Sequence, residues 1–355
     1  MSNKILVTGG AGYIGSHVVR QLGEAGYDVV IYDNCSTGTP QAVLHGELII
    51  ADLADTEILH QIFCQHKFTA VLHFAASLVV PESVARPLDY YTNNTRNTLN
   101  LLQCCRVTGV NQIIFSSTAA VYGEPKENPV IESTPTNPIN PYGRSKLMSE
   151  WLIEDYGAAS DLRYVIIRYF NVAGAEPRGS LGQMSPNATH LIKVACDAAL
   201  KKKPELKIFG TDFPTADGTA IRDYIHVEDL ATAHLDALRY LEKGGESQVV
   251  NCGYGMGYSV RQVIERVKAI SGVDFPVIET SRRPGDTACV VSNADKIRQV
   301  LGWQPKYNNL DAIIDTALAW ELNRKKFLSL PKKLKLPTKI GFDLRRKSAQ
   351  VVGDP

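Results

Sequence analysis

Residues 4–17 have the sequence KILVTGGAGYIGSH, in which an apolar run is followed by closely spaced glycines. The run Lys4–Thr8 is typical of a buried strand, and the residues after the glycines have the apolar spacing of an amphipathic helix. Gly9, Gly12 and Gly15 thus fall between a strand and a helix. There they allow a tight turn, and backbone N–H groups at the helix N-terminus can approach a pyrophosphate. The segment therefore predicts a dinucleotide-binding site.

An acidic residue follows the second predicted strand at the distance that such a site requires. The strand Asp28–Tyr32 is followed by Asp33, 18 residues after Gly15. A carboxylate at this position accepts hydrogen bonds from ribose hydroxyls and repels a 2′-phosphate. No arginine follows it closely, so the sequence favours NAD over NADP. A glycine turn that only packs a helix on a strand is the alternative, and the acid argues against it.

Short β-rich runs alternate with longer helical patterns through the first half of the chain. Strands are predicted at 4–8, 28–32, 48–51, 70–74, 112–116 and 164–168, and helices near 13–25, 56–66, 88–108 and 140–157. Such alternation indicates βαβ units and a parallel sheet. The predicted fold class is α/β, with a Rossmann-like doubly wound parallel sheet and a smaller mixed α/β domain after it.

The strand–helix alternation loosens after residue 172, where glycines and prolines become frequent. We predict an NAD-binding domain over 1–175, with a helix near 227–243 as a candidate to return to it. A nucleotide-sugar-binding domain is predicted over 176–326. Its helices are expected near 187–203, 227–243, 259–271 and 309–326, and its strands at 206–209, 248–251 and 275–279. A basic C-terminal tail is predicted over 327–355.

The composition is that of an ordinary soluble globular protein. The 355 residues are 44% hydrophobic and 21% charged, with a net charge of +1. These values exclude collagen, coiled coil and disorder as descriptions of the whole chain, and they give no global field toward nucleic acid or a membrane. The seven cysteines form no C-x-x-C pair, no apolar run approaches the length of a membrane span, and we expect no leader. We expect a cytoplasmic protein without a membrane span.

A tyrosine and a lysine lie four residues apart at the start of a predicted helix. Tyr142 and Lys146 would share one helix face. An ammonium about 4 Å from the phenol would lower its pKa from about 10 to near 7. Such a phenolate can take the proton of a substrate hydroxyl while hydride leaves the carbon. Thr118 follows the predicted strand 112–116 and can hydrogen-bond the reacting oxygen.

Several further stretches, taken with these motifs, resemble the extended short-chain dehydrogenases that act on nucleotide sugars. Within that group the chain most resembles the UDP-glucose 4-epimerase family. The matching stretches include His73–Ala76, Ser116–Gly123, Tyr142–Lys146, Arg168–Asn171, Arg222–Val227 and Arg282–Asp286.

The resemblance implies an isomerase that interconverts UDP-glucose and UDP-galactose by transient oxidation and re-reduction at C4 with tightly bound NAD. Tyr142 would be the general base, Lys146 would lower its pKa and hold the cofactor ribose, and Thr118 would bind the reacting oxygen. Besides Tyr142 and Lys146, the implied cofactor-binding residues are Gly9, Gly12, Tyr13, Ile14, Gly15, Asp33, Asn34, Cys35, Ser36, Thr37, Gly38, Asp52, Leu53, Phe74, Ala75, Ala76, Leu78, Asn93, Ser116 and Phe170. Leu78 stands where some epimerases have lysine.

The resemblance also implies a set of substrate-binding residues. Besides Thr118 and Tyr142 they are Asn171, His190, Leu191, Phe209, Arg222, Arg283, Asp286 and Val290. The arginines suit diphosphate, because guanidinium binds phosphate oxygens in a forked geometry. Val290 replaces a bulky tyrosine of some members, so UDP-GlcNAc and UDP-GalNAc remain alternative substrates. UDP-glucuronate and UDP-xylose or UDP-arabinose also remain open.

Rival activities are argued against by particular positions. Sugar-nucleotide 4,6-dehydratases have an acid pair after the catalytic threonine, where this chain has Ala119 and Ala120. A non-catalytic NAD-binding regulator often lacks the tyrosine or the lysine, and both are present. The histidines form no H-x-x-x-H or H-E-x-x-H metal motif, and outside the basic tail no basic, aromatic-interleaved face points to nucleic acid.

The resemblance implies a homodimer built from a four-helix bundle, with two helices from each subunit. The corresponding segments are 88–108 and 141–157. Candidate interface residues are Leu99, Leu101, Leu102, Leu147, Trp151 and Leu152. The alternative is that these side chains face the protein's own sheet, and the sequence leaves both open.

Overall fold

The structure, a computed structural model, describes residues 4–185 and 188–329. The strands are β1 (Lys4–Thr8), β2 (Asp28–Asp33), β3 (Glu47–Ile50), β4 (Ala70–His73), β5 (Gln112–Ser116), β6 (Arg163–Tyr169), β7 (Asn171–Ala173), β8 (Leu206–Phe209), β9 (Ile221–His226), β10 (Gln248–Cys252), β11 (Gly257–Ser259), β12 (Val277–Thr280) and β13 (Cys289–Val290). The helices are α1 (Tyr13–Glu24), α2 (Thr56–His66), α3 (Val80–Ala85), α4 (Pro87–Tyr90), α5 (Asn97–Thr108), α6 (Pro141–Ala158), α7 (Leu191–Ala199), α8 (Val227–Glu242), α9 (Val260–Ser271), α10 (Asp295–Leu301) and α11 (Leu310–Ser329).

Seven strands form one parallel sheet in the order β10-β6-β5-β4-β1-β2-β3. The chain winds outward from β1 in both directions, so the predicted doubly wound α/β fold is confirmed. In such a sheet the carboxyl ends of all strands meet at one edge, and a crevice opens beside β1 where the winding direction reverses. This edge receives the glycine turn after β1, and also the segments that follow β4, β5 and β6.

Both faces of the sheet are covered, which explains the apolar strands. In β1, Ile5 and Val7 belong to the core on the side of α1 and α8, whereas Leu6 belongs to the core on the side of α2 and α5. All three side chains are fully buried. A parallel sheet with helices on both faces needs this near-continuous apolar run. The central strand is thereby held rigidly below the glycine turn.

Two smaller sheets lie in the second half of the chain. Strand β9 pairs with β7, β11 and β13, and β8 pairs with β12. The sequence analysis missed β7, β9, β11 and β13. Strand β9 was missed because Arg222 and Asp223 interrupt its apolar pattern, yet the Asp223 carboxylate is buried and accepts the backbone N–H groups of Tyr254 and Gly255. Paired polar groups of this kind are compatible with a buried strand.

Strand β10 corrects the predicted division of the chain. It was assigned to the substrate domain, but it pairs with β6 and is an edge strand of the first sheet. The division at residue 175 otherwise stays a prediction.

Helix boundaries also differ in places. The helix predicted over 88–108 is interrupted by a π-helical segment at Tyr91–Arg96, and the helix predicted over 187–203 spans only Leu191–Ala199. Short α3 and α10 carry too few residues for a clear pattern and were missed. Helix α11 extends to Ser329, and residues 330–355 of the predicted tail lie outside the described residues.

Helix α8 packs against α1 through a buried charged cluster. The Glu228 carboxylate binds Nδ1 of His17 and the guanidinium of Arg20, and it accepts a further hydrogen bond from Gln21 at 3.0 Å. Burial alone would raise the pKa of Glu228, but the hydrogen bond and charge of His17 and the charge of Arg20 outweigh it and lower the pKa to about 2. Helix 227–242 therefore flanks the first sheet and fastens the helix that follows the glycine turn.

We predict that Glu228→Gln lowers the free energy of unfolding by about 3 kcal/mol at pH 7, because the buried guanidinium of Arg20 loses its carboxylate and His17 loses a buried hydrogen-bond partner. Urea denaturation measures this loss. Glu24 binds the same Arg20 from the surface, at 2.7 Å. Glu24→Gln is the matched control and should cost less than about 1 kcal/mol. Equal losses for the two variants would contradict the account.

The same cluster predicts a pH dependence. A carboxyl whose pKa is depressed in the folded state stabilises the fold fully above its ordinary pKa of 4.5, and this contribution is lost as pH falls toward 2. The difference in stability between the wild type and Glu228→Gln should therefore shrink below pH 4.5.

Candidate active site

The glycine turn joins β1 to α1 at the carboxyl edge of the sheet. Gly9 has φ +72°, and a Cβ there would lie 2.5 Å from the backbone N of Ala75. A Cβ on Gly15 would lie 2.2 Å from the carbonyl oxygen of Gly9. Gly12 is the N-cap of α1 and supplies no side-chain cap. The first N–H groups of α1 thus face the turn without a side-chain partner, which is the arrangement that binds phosphate.

Asp33 at the end of β2 holds this turn. Its two carboxylate oxygens accept hydrogen bonds from the backbone N–H of Ala11 at 2.9 Å and of Cys35 at 2.8 Å. Burial raises the pKa of Asp33, and the two backbone hydrogen bonds oppose that shift. Each oxygen retains a second lone pair for a ribose hydroxyl. The acid therefore has a structural task that the sequence analysis did not foresee, beside the one it predicted.

The residues predicted to hold the adenosine form one loop system next to Asp33. Asn34 donates to Asp52 at 2.7 Å and accepts the backbone N–H of Ser36 at 3.0 Å. Gly38 packs so closely on Ala11 that a Cβ would lie 2.6 Å from the Ala11 carbonyl carbon. Thr37 and Gly38 therefore lie beside the glycine turn. The other predicted residues of this loop system follow β2 and β3, and they are Cys35, Ser36, Asp52 and Leu53.

The segment after β4 borders the other side of the turn. The ring of Phe74 packs 4.7 Å from that of His234, and Ala75 lies against Gly9. Asn93 donates to the hydroxyl of Ser77 at 3.0 Å. The predicted residues Ala76 and Leu78 lie in this segment as well, and Leu78 is half exposed.

Thr118 and Tyr142 meet at the end of β5. Thr118 caps a short 3₁₀ turn, accepting the N–H of Ala120 at 3.1 Å, and its hydroxyl is close enough to the phenol of Tyr142 to lower the pKa of that phenol. Asn140 caps α6 by accepting the N–H of Gly143 at 2.9 Å, and so fixes where the helix begins. The ring of Tyr90 packs edge-on against Tyr142. The two predicted catalytic oxygens are therefore adjacent.

Lys146 is buried beside them. Only 3% of the residue is exposed, and its Nζ lies 4.0 Å from the ring centroid of Phe115 on β5. Burial lowers the pKa of Lys146 to about 7, and the charge of Glu150 opposes this shift. Ser116, predicted to contact the cofactor, ends the same strand and is also buried.

The expected fall of the Tyr142 pKa to near 7 is contradicted by this arrangement. Burial, with a smaller contribution from neighbouring Tyr169, raises the pKa of Tyr142 instead of lowering it to near 7, and the hydrogen bond with Thr118 only partly opposes the rise. The physical reason is desolvation, which penalises both charged forms. The sequence estimate placed an ammonium near a phenol but gave no cost for removing either from water.

Predicted substrate residues cluster beyond the start of α6. The Arg283 guanidinium lies 4.6 Å from the ring centroid of Phe209, and its Nε donates to Asp286 at 2.9 Å. A Cβ on Gly285 of the same loop would lie 3.5 Å from Cβ of Asn140. The predicted arginine–aromatic–acid group therefore adjoins the first residues of the catalytic helix.

Arg222 and Val290 connect this loop to β9. The two residues pair across β9 and β13, and Arg222 donates to the carbonyl oxygen of Thr287 at 2.7 Å. Val290 is buried in one apolar cluster with Phe170 and Leu147. This cluster joins a residue predicted for the cofactor to one predicted for the substrate.

The remaining predicted substrate residues flank β7 and α7. Asn171 begins β7 and is exposed, His190 caps α7, and Leu191 is its first residue. Within the described residues, Nδ1 of His190 is buried without a hydrogen-bond partner. His190 lines one cavity with Tyr13, which begins α1. These residues thus lie at the α1 side of the site, and Ile14 follows Tyr13 there.

Sequence reasoning missed four residues of the site, of which Tyr90, Ser117 and Glu150 are buried and Tyr169 is partly buried. Tyr90 and Tyr169 border Tyr142, and Ser117 and Glu150 bind each other directly behind it. Tyr169 and Ser117 fell inside quoted motifs without a role. The acidic residue Glu150, one helical turn after Lys146, was the available sequence signal for a charged group behind the site.

The residues present fit NAD. The glycine cradle leaves no room for a Cβ at Gly9 or Gly15, the N-terminus of α1 lacks a side-chain cap, and an acid ends β2. An anionic pyrophosphate and a ribose diol match these groups chemically. The turn that bears them adjoins the segment after β4, and β4 pairs with β5, the strand that leads to Thr118.

The doubly wound sheet and the glycine cradle together are those of an enzyme that binds a dinucleotide. The chain belongs to the NAD dependent epimerase/dehydratase family, whose family model matches residues 5–253. The predicted family and NAD cofactor are therefore confirmed, and the chain is an epimerase.

Individual relatives support the same assignment. The chain is 54% identical over 321 residues to a UDP-glucose 4-epimerase from Azospirillum brasilense, covering 90% of this chain and 92% of the relative. The UDP-Glc/GlcNAc 4-epimerase from Campylobacter jejuni is 50% identical, with a TM-score of 0.79 and coverage of 90% and 99%. The UDP-glucose 4-epimerase from Bifidobacterium longum, solved with NAD+ and UDP, is 36% identical, with a TM-score of 0.87 and coverage of 91% and 99%.

Across residues 4–185 and 188–329, the helices are too short or too polar to cross a membrane.

We predict that Asp33→Asn lowers the NAD content of the purified protein and weakens NAD binding about tenfold or more. The amide can replace one acceptor oxygen but not both, so one charge-assisted hydrogen bond to the glycine turn is lost. NAD released on denaturation measures the content, and titration of stripped protein measures the affinity. Asp28 begins the same strand and pairs with Lys4 near the surface. Asp28→Asn is the control, and equal NAD loss in both variants would contradict the role of Asp33.

Proposed function

We propose that the chain interconverts UDP-glucose and UDP-galactose by removing and returning hydrogen at C4 of the sugar. The single observation that carries this proposal is the Thr118 hydroxyl next to the Tyr142 phenol, whose pKa it lowers, with Lys146 one turn along the same helix. NAD, when bound, supplies the hydride acceptor and donor and one positive charge. The chain's own residues supply the proton chemistry and the grip on the nucleotide.

Tyr142 is the proposed general base and acid. It takes the proton of the sugar 4-hydroxyl and returns it once the configuration at C4 has inverted. Thr118 donates to or accepts from the same oxygen, since its hydroxyl is already within hydrogen-bond reach of the phenol. Because only 8% of each residue is exposed, bulk water has little access to the proton.

Lys146 provides positive charge where the phenolate forms. A pKa of about 7 makes its ammonium available near neutral pH but costly to keep. A buried ammonium stabilises a buried phenolate far more than it would in water, because the local dielectric is low. Burial raises the pKa of Tyr142, so that the neutral phenol is favoured. The positive charges of Lys146 and of bound NAD would oppose this rise when the phenolate forms.

Binding of the substrate's nucleotide part is assigned to Phe209, Arg222 and Arg283. Arg283 already packs over the Phe209 ring, and an aromatic ring with a guanidinium suits a uracil and a diphosphate. Binding energy remote from C4 keeps the 4-keto sugar from escaping while it turns. Inversion therefore requires a tightly held nucleotide and a loosely held hexose.

A 4,6-dehydratase is disfavoured at one position. The residues directly after Thr118 are Ala119 and Ala120, which form the 3₁₀ turn and bear no proton-transferring group. Among sugars, the small side chain of Val290 leaves N-acetylated hexoses as the second candidate, and the similarity to a UDP-Glc/GlcNAc epimerase favours including them. UDP-glucuronate and UDP-arabinose complete the panel to be tested.

We predict that the purified protein forms UDP-glucose from UDP-galactose without added NAD, and that Tyr142→Phe lowers kcat at least about a hundredfold, the scale of a lost general base. Chromatography of the four UDP-sugar pairs measures turnover. Tyr90→Phe removes a neighbouring phenol that donates to the carbonyl oxygen of Val79 instead.

Tyr90→Phe is the matched control and should retain activity within about tenfold. Turnover of UDP-GlcNAc but not of UDP-galactose would replace the proposed substrate, and turnover of neither would overturn the proposed function. NAD content is measured in every variant, so that cofactor loss is not mistaken for a lost base.

We also propose that two copies associate through α5 and α6. On these helices Leu99 is 40% exposed, Met148 39% and Trp151 53%. Leu101, Leu102 and Leu147, by contrast, are buried in the protein's own cores, and Leu152 packs partly against one of them. Four of the six expected interface residues therefore pack within the protein's own cores. The other two, Leu99 and Trp151, are exposed and available to a second copy. Their positions on neighbouring helices of each copy suit a four-helix bundle.

Trp151→Glu is expected to shift the protein from dimer to monomer, weakening association about thirtyfold or more, because a buried interface tryptophan is replaced by a charge. Sedimentation over a concentration series measures this. Leu322→Glu changes an apolar residue that is 61% exposed on α11 and is the control. A wild type that stays monomeric throughout, or equal dissociation of both variants, would contradict the proposed interface.

A further inference from the structure

A buried carboxylate lies directly behind the Tyr142–Lys146 pair. Glu150 is on α6, one turn after Lys146, and is fully buried. Its carboxylate accepts the hydroxyl of Ser117 and a forked pair from Arg168, with Nε at 3.1 Å and Nη2 at 2.6 Å. Burying such an ion pair carries a large desolvation cost. This desolvation cost therefore falls on α6 itself, the helix that bears Tyr142 and Lys146.

Each partner of Glu150 leads to a group of the active site. Ser117 directly precedes Thr118, so the carboxylate fixes the end of β5 against α6. Arg168 lies on β6 and its Nη1 donates to the Tyr122 hydroxyl at 3.2 Å, within the turn that Thr118 caps. The carboxylate thus joins α6, the segment after β5, and β6 at the catalytic edge of the sheet.

The charges that face Lys146 are few. Within the described residues Lys146 makes no ion pair, and its own helix presents Tyr142 and Glu150. From β4 it faces His73, whose pKa is lowered to about 3 by burial and by the charge of Lys146, so that this histidine is neutral. From β5 it faces the ring of Phe115. Glu150 is therefore the negative charge that opposes the burial of the ammonium.

We propose that Glu150 is a positioning residue for the reaction: it holds Thr118 against α6 through Ser117, and its charge, itself held by Arg168, keeps Lys146 cationic. This inference rests on the proposed function, since it names the residue that positions the proposed catalytic group of Tyr142, Lys146 and Thr118. Glu150 does not touch substrate, because it is enclosed between α6, β5 and β6.

The sign of the expected effect follows from electrostatics. Burial lowers the pKa of Lys146 to about 7, and the negative charge of Glu150 raises it. Glu150→Gln removes that charge, so the pKa of Lys146 falls further and the ammonium is lost at a lower pH. If the cationic form is the active one, the basic limb of the kcat profile moves to lower pH.

The experiment compares the pH profiles of kcat and KM for UDP-galactose in the wild type and three variants, all checked for fold and NAD content. Glu150→Gln should lower kcat about tenfold or more at pH 8, leave KM within about twofold, and shift the basic limb to lower pH. Glu150→Asp retains the charge and should keep the limb near its wild-type position. Ser117→Ala removes one hydrogen bond but no charge, so it should lower kcat without moving the limb.

Glu150→Gln leaves Arg168 buried without its carboxylate and can fail to fold. Glu150→Gln/Arg168→Met removes both charges and keeps the volume, and it should show the same downward shift of the limb. An unmoved limb in the folded variants that lack Glu150 would overturn the proposal and leave the residue a purely structural role.

Titration of the Lys146 side chain by lysine-selective NMR separates this inference from the proposed function. The resonance is assigned by its absence in Lys146→Met. A lower Lys146 pKa in Glu150→Gln supports the inference even if UDP-galactose is not turned over, and an unchanged pKa overturns it. An inactive wild type with a normal titration difference would instead overturn only the proposed function.

Discussion

The removal of one ammonium from water is the constraint on which the rest of the site depends. Lys146 is buried against Phe115 and one turn from Tyr142, where burial destabilises its charge. In the proposed reaction, a charge in that position would stabilise the phenolate that forms on Tyr142. The carboxyl edge of the parallel sheet collects the groups that make this possible, because β1, β4, β5 and β6 all end there.

Two supports hold that edge from opposite sides of the sheet. On one side Glu228 fastens α1, and with it the glycine turn, through His17 and Arg20. On the other side Glu150 fastens the catalytic helix to β6 through Arg168. Both are buried ion pairs, which are costly for stability but specify one arrangement of the packed elements. The proposed chemistry thus rests on a rigid frame that the hydrophobic cores alone would not specify.

Much of this could be predicted from the sequence, because its signals are local. Residue spacing and the surrounding periodicity indicate the chemistry of two segments, Gly9 to Asp33 and Tyr142 to Lys146. The features that could not be predicted are those in which segments distant in sequence contact each other. Strand β9 was hidden because Asp223 satisfies its carboxylate with backbone N–H groups 31 and 32 residues away. The direction of the Tyr142 pKa shift was wrong because desolvation depends on every element that packs around the ring, and spacing carries no such information.

The most direct test of the central claim is a crystal structure of the protein with UDP-glucose, in which the distance from the Tyr142 phenol oxygen to the sugar O4 is measured. The account predicts about 2.6–3.2 Å, with the Thr118 hydroxyl in contact with the same oxygen. A phenol that points away from O4, with another titratable side chain in hydrogen-bond contact with it, would contradict the account.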